Sequence, residues 1–174
     1  MLGLKVGKKK VRKELMNNMA LLKYVDTAVT FAEVPNEISL CINLSGCPYR
    51  CKGCHSSYLW QDIGTNLDLQ HLTDLIDSNT GITCVCLMGG DRDTVEIDSI
   101  ASSIREYYPK LKICWYSGNE KLDKNISLWN FDYIKLGPYK EELGPLNSTN
   151  TNQKFYKVNG DKLIDITEKF QNKK

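Results

Sequence analysis

Apolar positions along this chain come in short runs separated by stretches with helical spacing. Residues 38–44 (ISLCINL), 82–88 (ITCVCLM), 111–116 (LKICWY) and 132–136 (DYIKL) have the length and apolar content of buried strands. Between them, Leu69, Leu72, Leu75 and Ile76 fall on one helical face, and Ile97, Ile100, Ala101, Ile104 and Tyr107 fall on another. Gly64-Thr65-Asn66 reads as the start of the first helix and Gly81 as its close. Thr94 is placed to cap the second, and Pro109 stops it. Residues 21–34 alternate loosely and predict a strand pair or hairpin, broken at Pro35-Asn36. A short irregular helix is expected over 120–128. The tail KFYKVNGDKLIDIT predicts two strands around Asn159-Gly160.

The resulting order is strand, loop, helix, strand, helix, strand, strand. Alternation of this kind predicts a parallel sheet with crossover connections. Ser45-Gly46, Gly89-Gly90-Asp91, Ser117-Gly118 and Gly137-Pro138 each follow the carboxyl end of a strand, where such sheets gather their ligands. The pattern contains no internal repeat, low-complexity tract or linker to a second domain. With 174 residues, 41% of them apolar, the chain has enough for one real core.

Charge adds one feature. Net charge is +2, which gives no case for a surface committed to nucleic acid, and no apolar run approaches the ~18 residues of a membrane span. Residues 1–18 carry Lys5, Lys8, Lys9, Lys10, Arg12 and Lys13 against Glu14, a net of +5, so the remainder carries −3. We expect residues 1–18 to form a flexible basic extension and residues 19–174 a single domain. The extension reads as a solvated tail, or as an arm that touches nucleic acid or anionic lipid. A start at Met16 or Met19 is a further reading, since patterned sequence begins at Met19. The first residues lack the apolar stretch of a secretory signal, so the expected location is cytoplasmic, with no membrane and no nucleic acid as partner.

Seven cysteines change the picture most. An odd number in a chain without a secretion signal argues against a disulfide framework. Cys41, Cys84, Cys86 and Cys114 sit inside the apolar runs and read as buried thiols packing like small hydrophobes. Cys47, Cys51 and Cys54 lie instead in a Gly/Pro/polar loop with the spacing C-x3-C-x2-C. Three thiolates on one short loop can each ligate one iron of a [4Fe–4S] cluster, which leaves the fourth iron open to another molecule. Gly46 and Gly53 let the backbone curl close to such a cluster. Other readings fit less well. Structural zinc usually takes four ligands, whereas this loop has one C-x2-C and a His55 adjacent to Cys54. A four-cysteine ferredoxin lacks its fourth loop cysteine. A redox pair of Cys51 and Cys54 leaves Cys47 unexplained.

C-x3-C-x2-C after the first strand of a βα chain resembles the radical S-adenosylmethionine (SAM) superfamily. Cys51-Lys52-Gly53-Cys54-His55, with Trp60 soon after, is similar to the activating enzymes of anaerobic (class III) ribonucleotide reductase. Met88-Gly89-Gly90-Asp91 resembles that family's Gly-Gly-Glu motif, with a shorter acid. Trp115-Tyr116-Ser117-Gly118 resembles its aromatic-x-Thr-Gly segment. DYIKLGPY (132–139) and Asn152-Gln153-Lys154 resemble its Asp-…-Gly-Pro-Phe and Asn-Gln-Arg segments. The likeness spans about residues 19–166. Gly53 replaces the aromatic residue that many superfamily members carry there, and Leu136, preceded by Lys135, stands where the family often has an acid.

The resemblance implies an α/β fold, a partial, open (βα) barrel of the radical SAM type with about five or six mostly parallel strands. The chain is too short for the ~200 residues or more of a closed eight-fold barrel. It also implies two cofactors, a [4Fe–4S] cluster on Cys47, Cys51 and Cys54, and SAM. Gly89, Gly90 and Asp91 would meet the SAM methionine, Ser117 its ribose or carboxylate, and Gly53 and His55 would serve the cofactor loop, with Asn119 a weaker candidate. Cluster and SAM would carry the chemistry, with no separate catalytic side chain. The implied activity is reductive cleavage of SAM and formation of a glycyl radical. The implied partners are the large glycyl-radical subunit of anaerobic ribonucleotide reductase and a reduced flavodoxin-like electron donor. The alternatives are a small radical SAM enzyme acting on another glycyl-radical enzyme or on a small molecule, and a non-enzymatic module binding a cluster or zinc. Tyr58 and Trp60 read as packing residues and His71 as a plain surface residue.

Overall fold

Ser39–Leu44, buried at every position but Asn43, forms the strand around which the rest of the sheet is laid. The computed structural model describes residues 22–171, so the basic segment 1–18 and the alternative starts at Met16 and Met19 lie outside the described residues. In chain order the strands are β1 (Lys23–Thr30), β2 (Ser39–Leu44), β3 (Thr65–Asn66), β4 (Cys84–Met88), β5 (Lys112–Tyr116), β6 (Tyr133–Leu136), β7 (Lys154–Asn159) and β8 (Lys162–Asp165). The helices are α1 (Leu69–Ser78), α2 (Thr94–Tyr107) and the single turn α3 (Glu168–Gln171), with 3-10 turns at Ser57–Trp60 and Leu128–Asn130.

One mixed sheet runs β3-β1-β2-β4-β5-β6-β7-β8. Its four central strands, β2, β4, β5 and β6, are parallel and follow one another in chain order. The flanks pair antiparallel: β1 with β2 and β3, β6 with β7, and β7 with β8. The sheet therefore has eight strands rather than five or six, with parallel pairing confined to its centre. The chain reverses through residues 31–38 between β1 and β2 and through Gly160-Asp161 between β7 and β8, whereas the parallel neighbours are joined by longer crossovers.

The sheet has two apolar faces because side chains alternate along each strand. Leu40, Ile42, Val85, Leu87, Ile113, Trp115 and Ile134 pack beneath Leu72 and Ile76 of α1 and Ile97, Ile100 and Ile104 of α2. The opposite face carries Cys41, Cys84, Cys86, Cys114 and Phe155, covered by Val34, Leu146, Ile166 and Phe170. All four cysteines there are buried and free, as their apolar surroundings predict.

Several local expectations need correction. The described part of 21–34, residues 22–34, holds one strand, not a hairpin. Thr30 Oγ1 accepts from Ala32 N at 3.1 Å just past the strand end, and the antiparallel partner is β2. The turn lies further on, where Asn36 takes φ 65° and Glu37 N donates to Val34 O. No helix forms over 120–128. Asp123 accepts from Asn125 N and Asp98 accepts from Ser127 N, so side chains satisfy the backbone locally. Asp68 caps α1 by accepting from His71 N, while Thr65 and Asn66 pair as β3. The helix ends at Ser78, ahead of Gly81. Asp93, not Thr94, caps α2, because its carboxylate accepts from Glu96 N. The β7–β8 hairpin turns at Gly160-Asp161 with φ 64° at the glycine.

Candidate functional site

The site is built from what happens where β2, β4, β5 and β6 end. β2 runs into Ser45, whose fully buried hydroxyl donates to Ile63 O at 2.6 Å. Gly46 N then donates to Gln61 O and Cys47 N to Leu59 O, at 3.0 and 2.9 Å. These bonds staple the base of a loop from Cys47 to Leu59, with Leu59 buried beneath it. A side chain at Gly46 would collide with Arg92, which forms an ion pair with Asp62 at 2.8 Å. Within the loop, Cys54 N donates to Cys51 O at 3.2 Å, and Gly53 supplies the positive φ of 73° that this turn demands.

The three loop cysteines are free and half-buried. Burial pushes the Cys47 thiol up, partly offset by the backbone amides of Tyr49 and Arg50. The segment after β6 lies against the loop. A Cβ on Gly53 would meet Glu141 and Tyr139, Lys52 pairs with Glu141 at 3.2 Å, and the rings of His55 and Tyr139 lie 6.0 Å apart. His55 is exposed, at the rim.

Gly89-Gly90-Asp91 follows β4. Gly90 has φ 85°, and a Cβ there would overlap Ile97 and press Leu44. Only glycine fits, which lets the chain pass close against Leu44 of β2 and Ile97 of α2. Asp91 turns towards the end of β5, where its carboxylate accepts from Ser117 Oγ and, at 3.2 Å, from Gly118 N. Burial raises its pKa, while the hydrogen bonds from Ser117 and Gly118 and the charge of Lys135 pull it back. Ser117 is buried, and its hydroxyl also accepts from Asn119 N at 3.0 Å. The sequence-derived set is thus brought together: the thiol loop ends one strand, Gly89-Gly90-Asp91 the next, and Ser117 the one after. His71 stays apart, paired with Asp68 on α1.

Between these elements lies a cleft of about 150 Å³ lined by Cys47, Cys54, Asn43, Met88, Gly89 and Tyr116, with Trp60 on its wall. Trp60 Nε1 is buried there without a partner. Among the described residues none accepts from it, so the donor is open to an acceptor in the cleft. The donor set fits a cubane. No three His, Cys, Asp or Glu side chains among the described residues converge on one ion. A cubane does not ask for that, since each thiolate ligates a different iron and the sulfurs ring the cluster. Tyr49, Tyr116 and Lys135 belong to the site although sequence reasoning gave them no role there, and Trp60, read from sequence as a packing residue, lines its cleft. Tyr49 packs its ring on Gly118. For Lys135 a signal was available, a lysine inside the apolar run DYIKL.

The family model described as 4Fe-4S single cluster domain matches residues 38–154, from the start of β2 into β7. The chain belongs to this family and is an iron–sulfur protein. No curated protein and no solved structure matches it. Among the described residues, no helix is long and apolar enough to cross a membrane.

Proposed function

We propose that this protein is a radical SAM activating enzyme that generates a glycyl radical on an anaerobic ribonucleotide reductase. The observation that carries the reading is that the C-x3-C-x2-C loop, Gly89-Gly90-Asp91 and Ser117 follow the ends of three neighbouring parallel strands, with Cys47, Cys54 and Gly89 lining one cleft and Asp91 bonded to Ser117. In this reading the central parallel strands form the wall of a partial, open barrel. Cys47, Cys51 and Cys54 hold the [4Fe–4S] cluster and leave one iron open. When bound, the cluster would supply the electron for cleavage of the sulfonium C–S bond of SAM, and the organic radical so formed would take hydrogen from a glycine Cα of the partner.

The chain's own residues bind, orient and exclude water. Asp91, held by Ser117 and Gly118, accepts from the methionine ammonium of SAM. Gly89 and Gly90 admit the ligand close to the backbone, and Trp60 offers its free N–H to an acceptor in the cleft. Gly53 lets residues 139–141 close over the loop, and His55 and Tyr139 form its rim. Electrons come from a reduced flavodoxin-like protein.

The test is anaerobic. Protein reconstituted with iron and sulfide, reduced with dithionite and given SAM should release methionine and 5′-deoxyadenosine. Cys51→Ala should release neither. Addition of the reductase subunit should then yield a glycyl-radical EPR signal. A fully clustered wild type that leaves SAM intact, alone and with the partner, would overturn the reading and leave a structural or electron-transfer cluster.

A further inference from the structure

Lys135 stands in the middle of a buried strand and is only 7% exposed. An ammonium in such a place needs compensation. Strand register sets Asn43, Met88, Tyr116 and Lys135 side by side across β2, β4, β5 and β6. The first three line the cleft that holds Cys47 and Cys54. The Lys135 ammonium donates to Gly137 O at 2.6 Å, reaches Ser117 O at 3.5 Å, and lies 6.0 Å from the centre of the Tyr116 ring. All of these partners are neutral. Among the described residues no carboxylate pairs with it directly. Burial pulls its pKa down to about 8, and the charges opposing that pull are Asp91 and the thiols of Cys51, Cys54 and Cys47.

Two of those thiols, Cys47 and Cys54, line the cleft, and Cys51 belongs to the same loop. Three thiolates outweigh the two positive charges of an oxidised cubane by one, and one-electron reduction makes the excess two. Reduction therefore adds negative charge beside a buried cation in a poorly screened site, where Coulomb energies are large. We infer that Lys135 is the internal counter-charge of the cluster and raises its reduction potential. It acts as a positioning and tuning residue, not as a ligand. The inference rests on the iron–sulfur reading of the loop and is independent of SAM cleavage.

The test uses full-length protein, reconstituted anaerobically without SAM and titrated electrochemically while the cluster absorbance and the EPR signal of the reduced form are followed. Lys135→Met and Lys135→Gln, with iron and sulfide contents equal to wild type, should be at least tenfold harder to reduce, a potential lower by 59 mV for one electron. Lys135→Arg keeps the charge and should stay near wild type. Loss of cluster in the Met and Gln variants with retention in Arg would support the same role. An unchanged potential in fully loaded Met or Gln protein would overturn it, even if SAM affinity fell, because Lys135 would then be a ligand-binding residue. Equal shifts or equal cluster loss in all three variants would overturn it too, by assigning Lys135 to packing. A wild type that takes up no cluster would instead sink the iron–sulfur reading beneath it.

Discussion

Cys41, Cys86 and Cys114 stand abreast on β2, β4 and β5, whereas Cys47, Cys51 and Cys54 begin three residues after β2 ends. The first group is packed among Val34, Leu146, Phe155 and Phe170. Burial raises the Cys86 thiol well above its ordinary range and the Cys114 thiol to about 11. The second group lies half-exposed on a loop shaped by Gly46 and Gly53. The same side chain is a small hydrophobe in one region and, in the function proposed above, a metal ligand in the other. What separates them is the strand end: inside the sheet a thiol is packed among apolar side chains and other sulfurs, and beyond it a thiol meets backbone amides and a cleft.

The sharpest way to break this comparison is to remove one thiol from the loop. Cys51→Ala should abolish cluster binding and any activity that depends on it, with little change in the thermal stability of the metal-free protein, because the side chain is half-exposed and fills no core. Iron analysis beside thermal melting checks both halves. A Cys51→Ala protein that retains the full iron content would show that the loop is not the site.

Alkylation of the metal-free protein at pH 8 sharpens the same contrast without mutation. A thiol held at about 11 is roughly one-thousandth thiolate at that pH, and a buried one is also screened from reagent. Mass spectrometry should find iodoacetamide on Cys47, Cys51 and Cys54, and on the four sheet cysteines only after unfolding. Early labelling of Cys86 in the native protein would refute its burial.

Glycines test whether the loop and the strand ends are truly packed together. Gly90→Ala adds a Cβ against Ile97 and Leu44 at φ 85°, so overpacking and backbone strain combine to cost about 2–4 kcal/mol. Gly81→Ala has nearly the same φ, 86°, but open space around it, and should cost only about 1 kcal/mol. Urea midpoints of the two variants isolate the packing contribution. Equal losses would mean that the Gly89-Gly90 turn is not pressed against its neighbours.

Much of this architecture was legible from local pattern. The four apolar runs, both amphipathic helices and the C-terminal hairpin appear as strands, helices and hairpin because their periodicity and turn residues suffice to define them. The thiol loop and Gly89-Gly90-Asp91 were legible from spacing. What escaped is long-range. Nothing near residue 30 says that β1 pairs with β2 rather than folding on itself. Nothing near Tyr49 says that its ring covers Gly118. Lys135 is recognisable in sequence only as a lysine in an apolar run. That it stands beside Tyr116, which lines the cleft with Cys47 and Cys54, follows from the register of β6 against β5, which only the folded sheet sets.

The smallest effect tests the comparison from its other side. Cys86 is fully buried between Cys41 and Cys114, and its sulfur lies 3.4 Å from Met88 Sδ. Cys86→Ala removes one heavy atom from a packed layer and leaves a void too small for water, so it should cost about 1 kcal/mol. Iron content and cluster absorbance should not change, because no part of the thiol ring is touched. Met88 also lines the cleft, so a void beside it provides a route by which a core change could reach the site. If Cys86→Ala lowers stability alone, the sheet layer and the loop are independent regions that share a sequence neighbourhood. If it lowers iron content as well, the thiols of the sheet and of the loop form one continuous unit, and the division drawn between them fails.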